Sequence, residues 1–445
     1  MKMALRTFKG GIHPNDGKEL AKDKPLSELS PGKELVFPLS MHIGAPAKPV
    51  VEKGDRVLAG QMIAEPGGFV SAAIHASVSG TVKAIEPHVT AVGSSVNSIV
   101  ITNDEQYEAV ETAPQADYTT LSKEEILEKI RMAGIVGMGG AGFPTQVKLS
   151  PKEPEKIEYV IANCAECEPY ITADYRRMME NGEELIEGLK VILRLFDNAT
   201  GILAIEDNKP DCIENLTKLA NGESRIKVMP LQAKYPQGAE RNLIFATTGR
   251  KINSSMLPAD AGCVVDNVET IIAIKRAVID GKPLISRTIT VSGDAAKTPG
   301  NFIVPVGMNQ LEVIEAAGGF SEDLQKMISG GPMMGFAMYT ADCPVTKTTS
   351  AILGFKEDAV SKSTQTQCIN CGRCVSVCPE HLVPTRLSKY AVQGKLDLFE
   401  KWHGVECVEC GSCSYVCPAK RPLKQEIGTM RKIALANRKK AAAKK

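Results

Sequence analysis

Eight cysteines between Cys368 and Cys417 carry the most specific chemistry in this sequence. They form two runs, Cys368-Ile-Asn-Cys371-Gly-Arg-Cys374-Val-Ser-Val-Cys378-Pro379 and Cys407-Val-Glu-Cys410-Gly-Ser-Cys413-Ser-Tyr-Val-Cys417-Pro418. Three thiolates with two residues between them can line a tight loop and hold three corners of an iron–sulfur cubane. The fourth lies about a helical turn later and points away, and the proline after it stops the loop from continuing as helix. Zinc sites take their ligands as two pairs at tetrahedral spacing, which two complete four-cysteine runs do not match.

The spacing is that of bacterial two-cluster ferredoxins. This resemblance implies that Cys368, Cys371, Cys374 and Cys417 hold one 4Fe–4S cluster, and Cys407, Cys410, Cys413 and Cys378 the other. Between the runs Leu382, Leu387, Tyr390, Leu396 and Phe399 recur at spacings compatible with helices. An α-helical two-cluster ferredoxin module is therefore expected over 368–430. Two close cubanes make a one-electron wire, and a wire needs an electron source elsewhere in the chain.

A glycine-rich stretch at 134–148 is one candidate part of that source. Gly137, Gly139, Gly140 and Gly142 let backbone N–H groups approach a phosphate, and Lys148 adds a charge. A helix-like segment over 123–132 precedes it, and Tyr159–Ala162 reads as a short buried strand. The loop that follows, Asn163-Cys164-Ala165-Glu166-Cys167-Glu168-Pro169-Tyr170, leads to Asp174 and sits at a strand end, where α/β sheets bind ligands. Further on come Tyr235 to Leu243 and Asp266-Asn267-Val268-Glu269-Thr270.

In this order the four segments resemble the flavin- and NADH-binding subunit of respiratory complex I, over about 120–345. The resemblance implies FMN against Gly137, Gly139, Gly140, Lys148, Asn163, Glu166, Glu240, Asn267 and Thr270. It implies NAD(H) on the side of Glu168, Gly142 and Phe143. Ala165 stands where that family usually carries Asp, and Ala239 where it carries an acidic residue. Cys164 and Cys167 read as ordinary thiols lining this site, and Cys212, Cys263 and Cys343 as small buried side chains.

The elements that must position these residues form a multidomain α/β and α+β chain. An N-terminal arm spans 1–30. Residues 31–110 alternate short strands with Gly turns, a small β-sandwich resembling biotinyl- and lipoyl-carrier domains. At the carrier-lysine turn this chain has Ala76-Ser77-Val78, so no covalent cofactor is expected. A Rossmann-like flavin/NADH domain occupies 115–283 and a β-grasp domain 284–345. A Ser/Thr/Gln-rich linker at 356–367 leads to the cluster module, and a basic tail runs over 431–445.

Composition narrows the function. The 445 residues carry 53 Lys+Arg against 52 Asp+Glu, which excludes a bulk basic binder of nucleic acid. No stretch of 18 apolar residues could span a bilayer. The first residues lack the apolar core of a secretory signal, so a reducing compartment is expected, where cysteines serve metals and redox. The whole module order resembles the RnfC family, the flavin and iron–sulfur subunits of Rnf electron-transport complexes. That resemblance implies a peripheral subunit on the cytoplasmic face of the cell membrane, with membrane-embedded and ferredoxin-like partner subunits. It would exchange electrons between NADH, FMN and two clusters, coupled to ion transport. Two other readings share these parts: a soluble flavin/iron–sulfur reductase serving a cobalamin- or amino-acid-reductase, and a non-catalytic electron-wiring scaffold.

Overall fold

The computed structural model describes residues 5–115 and 117–442. The first residues of the arm and the last three of the basic tail lie outside the described residues. Four short apolar runs, too short for helices, form the central sheet: Tyr159–Cys164, Thr200–Glu206, Ile226–Leu231 and Cys263–Asn267. All pair in parallel, in the spatial order 226–231, 200–206, 159–164, 263–267. Val160 and Ala162 face one apolar layer, with Leu185, Leu189 and Ile271, while Ile161 faces the other, with Leu243 and Ile244. That alternation is the period of two a strand imposes, with both faces of a parallel sheet covered. Helices Gly182–Leu193 and Val268–Val278 approach closely: a Cβ on Gly188 would stand 2.2 Å from the Ile271 carbonyl oxygen. Chain order reverses between strands 159–164 and 263–267. In open α/β sheets the ligand crevice lies there, beyond the strands' carboxyl ends.

The β-sandwich has two antiparallel sheets around Leu35, Phe37, Ile63, Ile74, Ile99 and Ile101. Ser77, in the carrier-like turn, donates to the Val306 carbonyl of the neighbouring domain at 2.6 Å. The β-grasp sheet reaches beyond 284–345 in both directions. Leu26–Glu28, inside the N-terminal arm, pairs in parallel with Gly300–Pro305 at its edge. Ala351–Phe355 lies inside the sheet, between Ser286–Ser292 and Lys326–Ser329. A three-residue edge strand carries no periodicity to read, and its partner lies far along the chain.

Buried polar groups stitch these domains together. Glu269 of the flavin domain accepts from Arg287 Nη1 at 2.5 Å and from the Thr288 N–H at 2.7 Å. The fully buried Lys347 donates to the carbonyls of Ala73 and Gly134, and so ties the β-grasp, sandwich and flavin domains at one point.

The cluster module is helical, with Pro384–Val392, Leu396–Lys401 and Leu423–Ala442 packed around Leu387, Phe399, Leu423, Ile427 and Met430. The last helix crosses the expected boundary at 430. Arg431 donates to the Val405 carbonyl and pairs with Glu409 at 3.1 Å, and Ala434 is buried, so the start of the basic segment is part of the module. Among the described residues no helix is long and apolar enough to cross a membrane.

Candidate functional site

The crevice at the sheet's reversal point gathers most of the expected flavin residues. Asn163 and Asn267 lie at the carboxyl ends of adjacent strands, as register partners. Asn163 Nδ2 donates to the Gly238 carbonyl at 2.9 Å and so holds the 235–239 loop. Asn267 caps the helix that follows by accepting from the Glu269 N–H, and its Nδ2 donates to Asp174 at 2.6 Å. Lys148 Nζ donates to the Val265 carbonyl at 2.7 Å and to Asp266 Oδ1 at 3.1 Å. Burial opposes the Lys148 charge, but Asp266 and Glu240 outweigh it and hold its pKa above the usual lysine value. Asp266 Oδ2 is buried with no hydrogen-bond partner, an acceptor left over in the crevice.

The glycine loop closes on itself through Gly137 N–H to the Phe143 carbonyl at 2.8 Å. Thr270 Oγ accepts from the Met138 N–H at 3.0 Å and anchors the loop to the sheet. A Cβ on Gly139 would stand 2.9 Å from Asn267 Cβ, whereas one on Gly140 would meet open space. A close backbone approach beside an open shelf, with lysine and amide donors below, fits a flat phosphorylated cofactor such as FMN.

Other expected residues are placed differently. Glu166 is held by backbone donors at a helix start. It adopts φ 46°, and its carboxylate accepts from the backbone N–H groups of Asp174 at 2.7 Å and Tyr175 at 3.3 Å, capping helix Ala173–Glu180. Glu168, expected toward nicotinamide, accepts from the Met333 and Met334 N–H groups at 3.1 and 3.0 Å. A Cβ on Gly331 would lie 2.0 Å from that carboxylate, so Gly331 leaves it room. Gly142 seats the glycine loop on the sandwich: its carbonyl accepts from the Ile43 N–H at 3.1 Å. The Glu166 and Glu168 carboxylates are taken by free backbone N–H groups, at a helix start and in the Gly330–Gly335 turn.

Four residues outside the expected set complete the site. Half-buried Asp174 meets Asn267, and burial, with Glu166 and Glu269 nearby, pushes its carboxyl up to about 8. Lys18, from the arm, donates to the carbonyls of Glu168 and Ile171 and lies 3.8 Å from Glu166; burial lowers its pKa despite Glu166. Lys209 donates to the Ala165 carbonyl at 2.6 Å. Tyr235 is buried and donates to the Cys410 carbonyl at 2.7 Å. Asp174 and Tyr235 adjoin or lie within the motifs, but nothing local to Lys18 points to a loop 150 residues away. Burial pushes the Cys167 thiol up to about 12 and raises that of Cys164, so both stay protonated.

Two cavities hold the eight clustered cysteines. One is lined by Cys378, Cys407, Cys410 and Cys413, the other by Cys368, Cys371, Cys374 and Cys417. Each therefore takes three thiols from one run and one from the other. Four thiols around one cavity fit a cubane in each. The first cavity abuts the flavin domain: Cys410 packs with Tyr235, Cys167 and Ile12. The arm reaches this junction too, with Gly11 N–H donating to the Val377 carbonyl at 2.9 Å. Cys212, Cys263 and Cys343 are buried.

A flavin crevice joined to two four-thiol cavities defines a flavin and iron–sulfur electron-transfer protein, an oxidoreductase whose cofactors are FMN and two iron–sulfur clusters. Family models agree module by module: the RnfC Barrel sandwich hybrid domain matches 6–106, the Nuo51 FMN-binding domain 130–276, the SLBB domain 288–337 and the 4Fe-4S dicluster domain 367–421. The chain is 46% identical over 399 residues to the C subunit of the proton-translocating ferredoxin:NAD(+) oxidoreductase complex of Clostridium ljungdahlii, covering 89% of this chain and 86% of that one. It is 44% identical over 436 residues to the C subunit of the Na(+)-translocating ferredoxin:NAD(+) oxidoreductase complex of Acetobacterium woodii, covering 98% of each. The chain belongs to the family these proteins form, the RnfC family. A solved NAD+-reducing [NiFe]-hydrogenase shares the fold over 73% of this chain and 69% of its own, with a TM-score of 0.51 at 19% identity.

Proposed function

We propose that this chain is the electron-input subunit of an ion-translocating complex, exchanging electrons between NAD(H) and partner subunits. The observation that carries this reading is the direct junction between flavin crevice and buried thiol cavity, made by the Tyr235–Cys410 hydrogen bond. FMN, when bound, takes electrons from NADH in pairs and releases them singly, which suits clusters that carry one at a time.

The chain's own residues supply position and electrostatics. Gly137, Gly139 and Gly140 bring backbone to the cofactor, and Lys148 offers a cation that Asp266 and Glu240 keep protonated. Asn163 and Asn267 hold the 235–239 loop and Asp174 in register. Glu166, Thr270, Gly142 and Phe143 shape and seat the two loops. Glu168 joins the acidic loop to the Gly330–Gly335 turn, with the NAD(H) site on the open side of the glycine loop. Cys378, Cys407, Cys410 and Cys413 bind the cluster next to the flavin domain, and Cys368, Cys371, Cys374 and Cys417 the outer one. Membrane-embedded and ferredoxin-like subunits of the same complex are the partners. They hold the chain at the cytoplasmic face of the cell membrane, with coupling to ion transport through them.

Anaerobic purification followed by NADH titration tests this. About eight irons and one FMN per chain are expected, with cluster absorbance bleached by NADH. Stoichiometric zinc without iron, or clusters that stay oxidised with NADH, overturns it. Washed membranes from cells making the whole complex should retain the chain; a chain wholly in the soluble fraction favours a free reductase.

A further inference from the structure

The glycine loop leans on residues from outside the flavin domain. At its start, Lys347 Nζ donates to the Gly134 carbonyl at 2.6 Å and to the Ala73 carbonyl of the sandwich. At its middle, Arg287 Nη2 donates to the Met138 carbonyl at 3.4 Å. At its end, a Cβ on Gly142 would stand 2.8 Å from Thr348 Cγ2 and 3.2 Å from His42 Cα, so the backbone rests directly on both neighbours. Lys347 and Thr348 are consecutive, so one short run of the β-grasp domain supports both ends of the loop.

Lys347 is the costly member of this support. It is fully buried, and among the described residues no carboxylate pairs with it. A buried cation without a counter-ion is expensive, and an apolar side chain could fill the same space. An apolar side chain could not satisfy the Gly134 and Ala73 carbonyls, which Lys347 joins across two domains. A Cβ on Gly134 would stand 2.7 Å from Lys347 Nζ, so the loop backbone comes right up to the ammonium group. Burial lowers the Lys347 pKa to about 7. The titratable groups that feel its charge are His42 and His75 of the sandwich, and burial lowers both, His75 to about 3, so both are neutral at pH 7. Arg131, three residues before Gly134, is paired with Glu128, and Arg287 of the β-grasp with Glu269.

We propose that Lys347 is a positioning residue for the flavin: it fixes the start of the glycine loop against the sandwich and so sets where the Gly139–Gly140 shelf stands. The proposal rests on the reading of the crevice as the FMN site. Flavin affinity then depends on contacts to two domains that hold none of the expected flavin residues. A charged ammonium group holds two carbonyls more firmly than a neutral amine does, so the loop loosens as Lys347 gives up its proton.

The test uses the full chain with its clusters loaded and its flavin removed, and FMN as the probe. Lys347→Met keeps the volume and removes the donors; it should weaken FMN binding about tenfold, with the iron content of wild type. Ser77→Ala removes another hydrogen bond between sandwich and β-grasp, and should leave FMN affinity unchanged. Between about pH 6.5 and 9 the wild-type dissociation constant should rise several-fold more than that of Lys347→Met, since Asp174 and the FMN phosphate titrate in both. Hydrogen exchange on flavin-free wild type needs no variant. Corrected for its intrinsic pH dependence, residues 134–142 should lose protection over the same range, while helix Gly182–Leu193 keeps it. If Lys347→Met loses its fold, the exchange measurement decides. Wild-type affinity in Lys347→Met, parallel pH profiles, an equal loss in Ser77→Ala, or protection that falls alike in both segments overturns the proposal. FMN binding by wild type with an unaffected variant rejects the role of Lys347 alone, and a wild type that binds no FMN rejects the flavin site itself.

Discussion

The Tyr235 phenol donates to the backbone carbonyl of Cys410 at 2.7 Å, across 175 positions of sequence. Both residues are buried, so no water can replace the donor. Tyr235→Phe should cost about 1 kcal/mol of stability. It should also lower the midpoint potential of one cluster and leave the other where it was, because donors near a cluster favour its reduced form. Potentiometric EPR on wild type and variant reads both. Equal shifts of the two clusters would contradict this junction.

The glycine loop gives a paired test. An alanine at position 139 collides with Asn267 Cβ at 2.9 Å, whereas one at 140 meets nothing. Gly139→Ala should displace the loop and lower both thermal stability and flavin affinity. Gly140→Ala should keep the flavin-free stability of the wild type yet weaken FMN binding at least tenfold, since the methyl enters the space kept for the ring or its phosphate. Fluorescence titration of flavin-free protein, beside its melting curve, separates the two.

Serine substitutions should sort by cavity rather than by run. Cys417→Ser should remove the same EPR signal as Cys371→Ser, and Cys378→Ser the same one as Cys410→Ser, each with about four irons lost. A pattern in which Cys417→Ser matches Cys410→Ser would mean that each run holds its own cluster.

Asp174 predicts a pH dependence. Its pKa is raised from 3.8 to about 8, burial being the largest cause and Glu166 the next. The folded state therefore holds a proton that the unfolded state has lost between those values. Stability from this group is full below about pH 4, falls as pH rises, and is gone above about pH 8. The slope in that window is roughly 1 kcal/mol per pH unit in the flavin-free protein. Asp174→Asn keeps an acceptor for Asn267 and loses the proton, so its melting temperature should vary less between pH 5 and 8. Parallel curves for the two proteins would place the raised carboxyl elsewhere.

Local signals were legible where residues close in sequence act together. The cysteine runs, through their resemblance to two-cluster ferredoxins, imply both thiol sets, and Tyr159–Ala162 already reads as a strand. The helix over 123–132 carries its own capping box between Ser122 and Glu125. Leu26–Glu28 and Ala351–Phe355 were not legible as members of the β-grasp sheet, because strand pairing is a long-range choice that a short run does not announce.

The amino-acid sequence by itself determined the modules, their order, the cofactor class and the thiols that share each cavity. They follow from the motifs and from the families those motifs resemble, together with short-range turn and strand preferences. Tertiary structure alone decided which acidic side chains face the crevice. Glu166 and Glu168 lie in the motif but are taken by backbone donors of Asp174, Tyr175, Met333 and Met334, while Asp174 takes the place beside Asn267. It also brought Lys18 under the acidic loop and Tyr235 onto Cys410. A buried polar group must find a partner wherever the fold supplies one, and that partner is set by packing rather than by position in the chain.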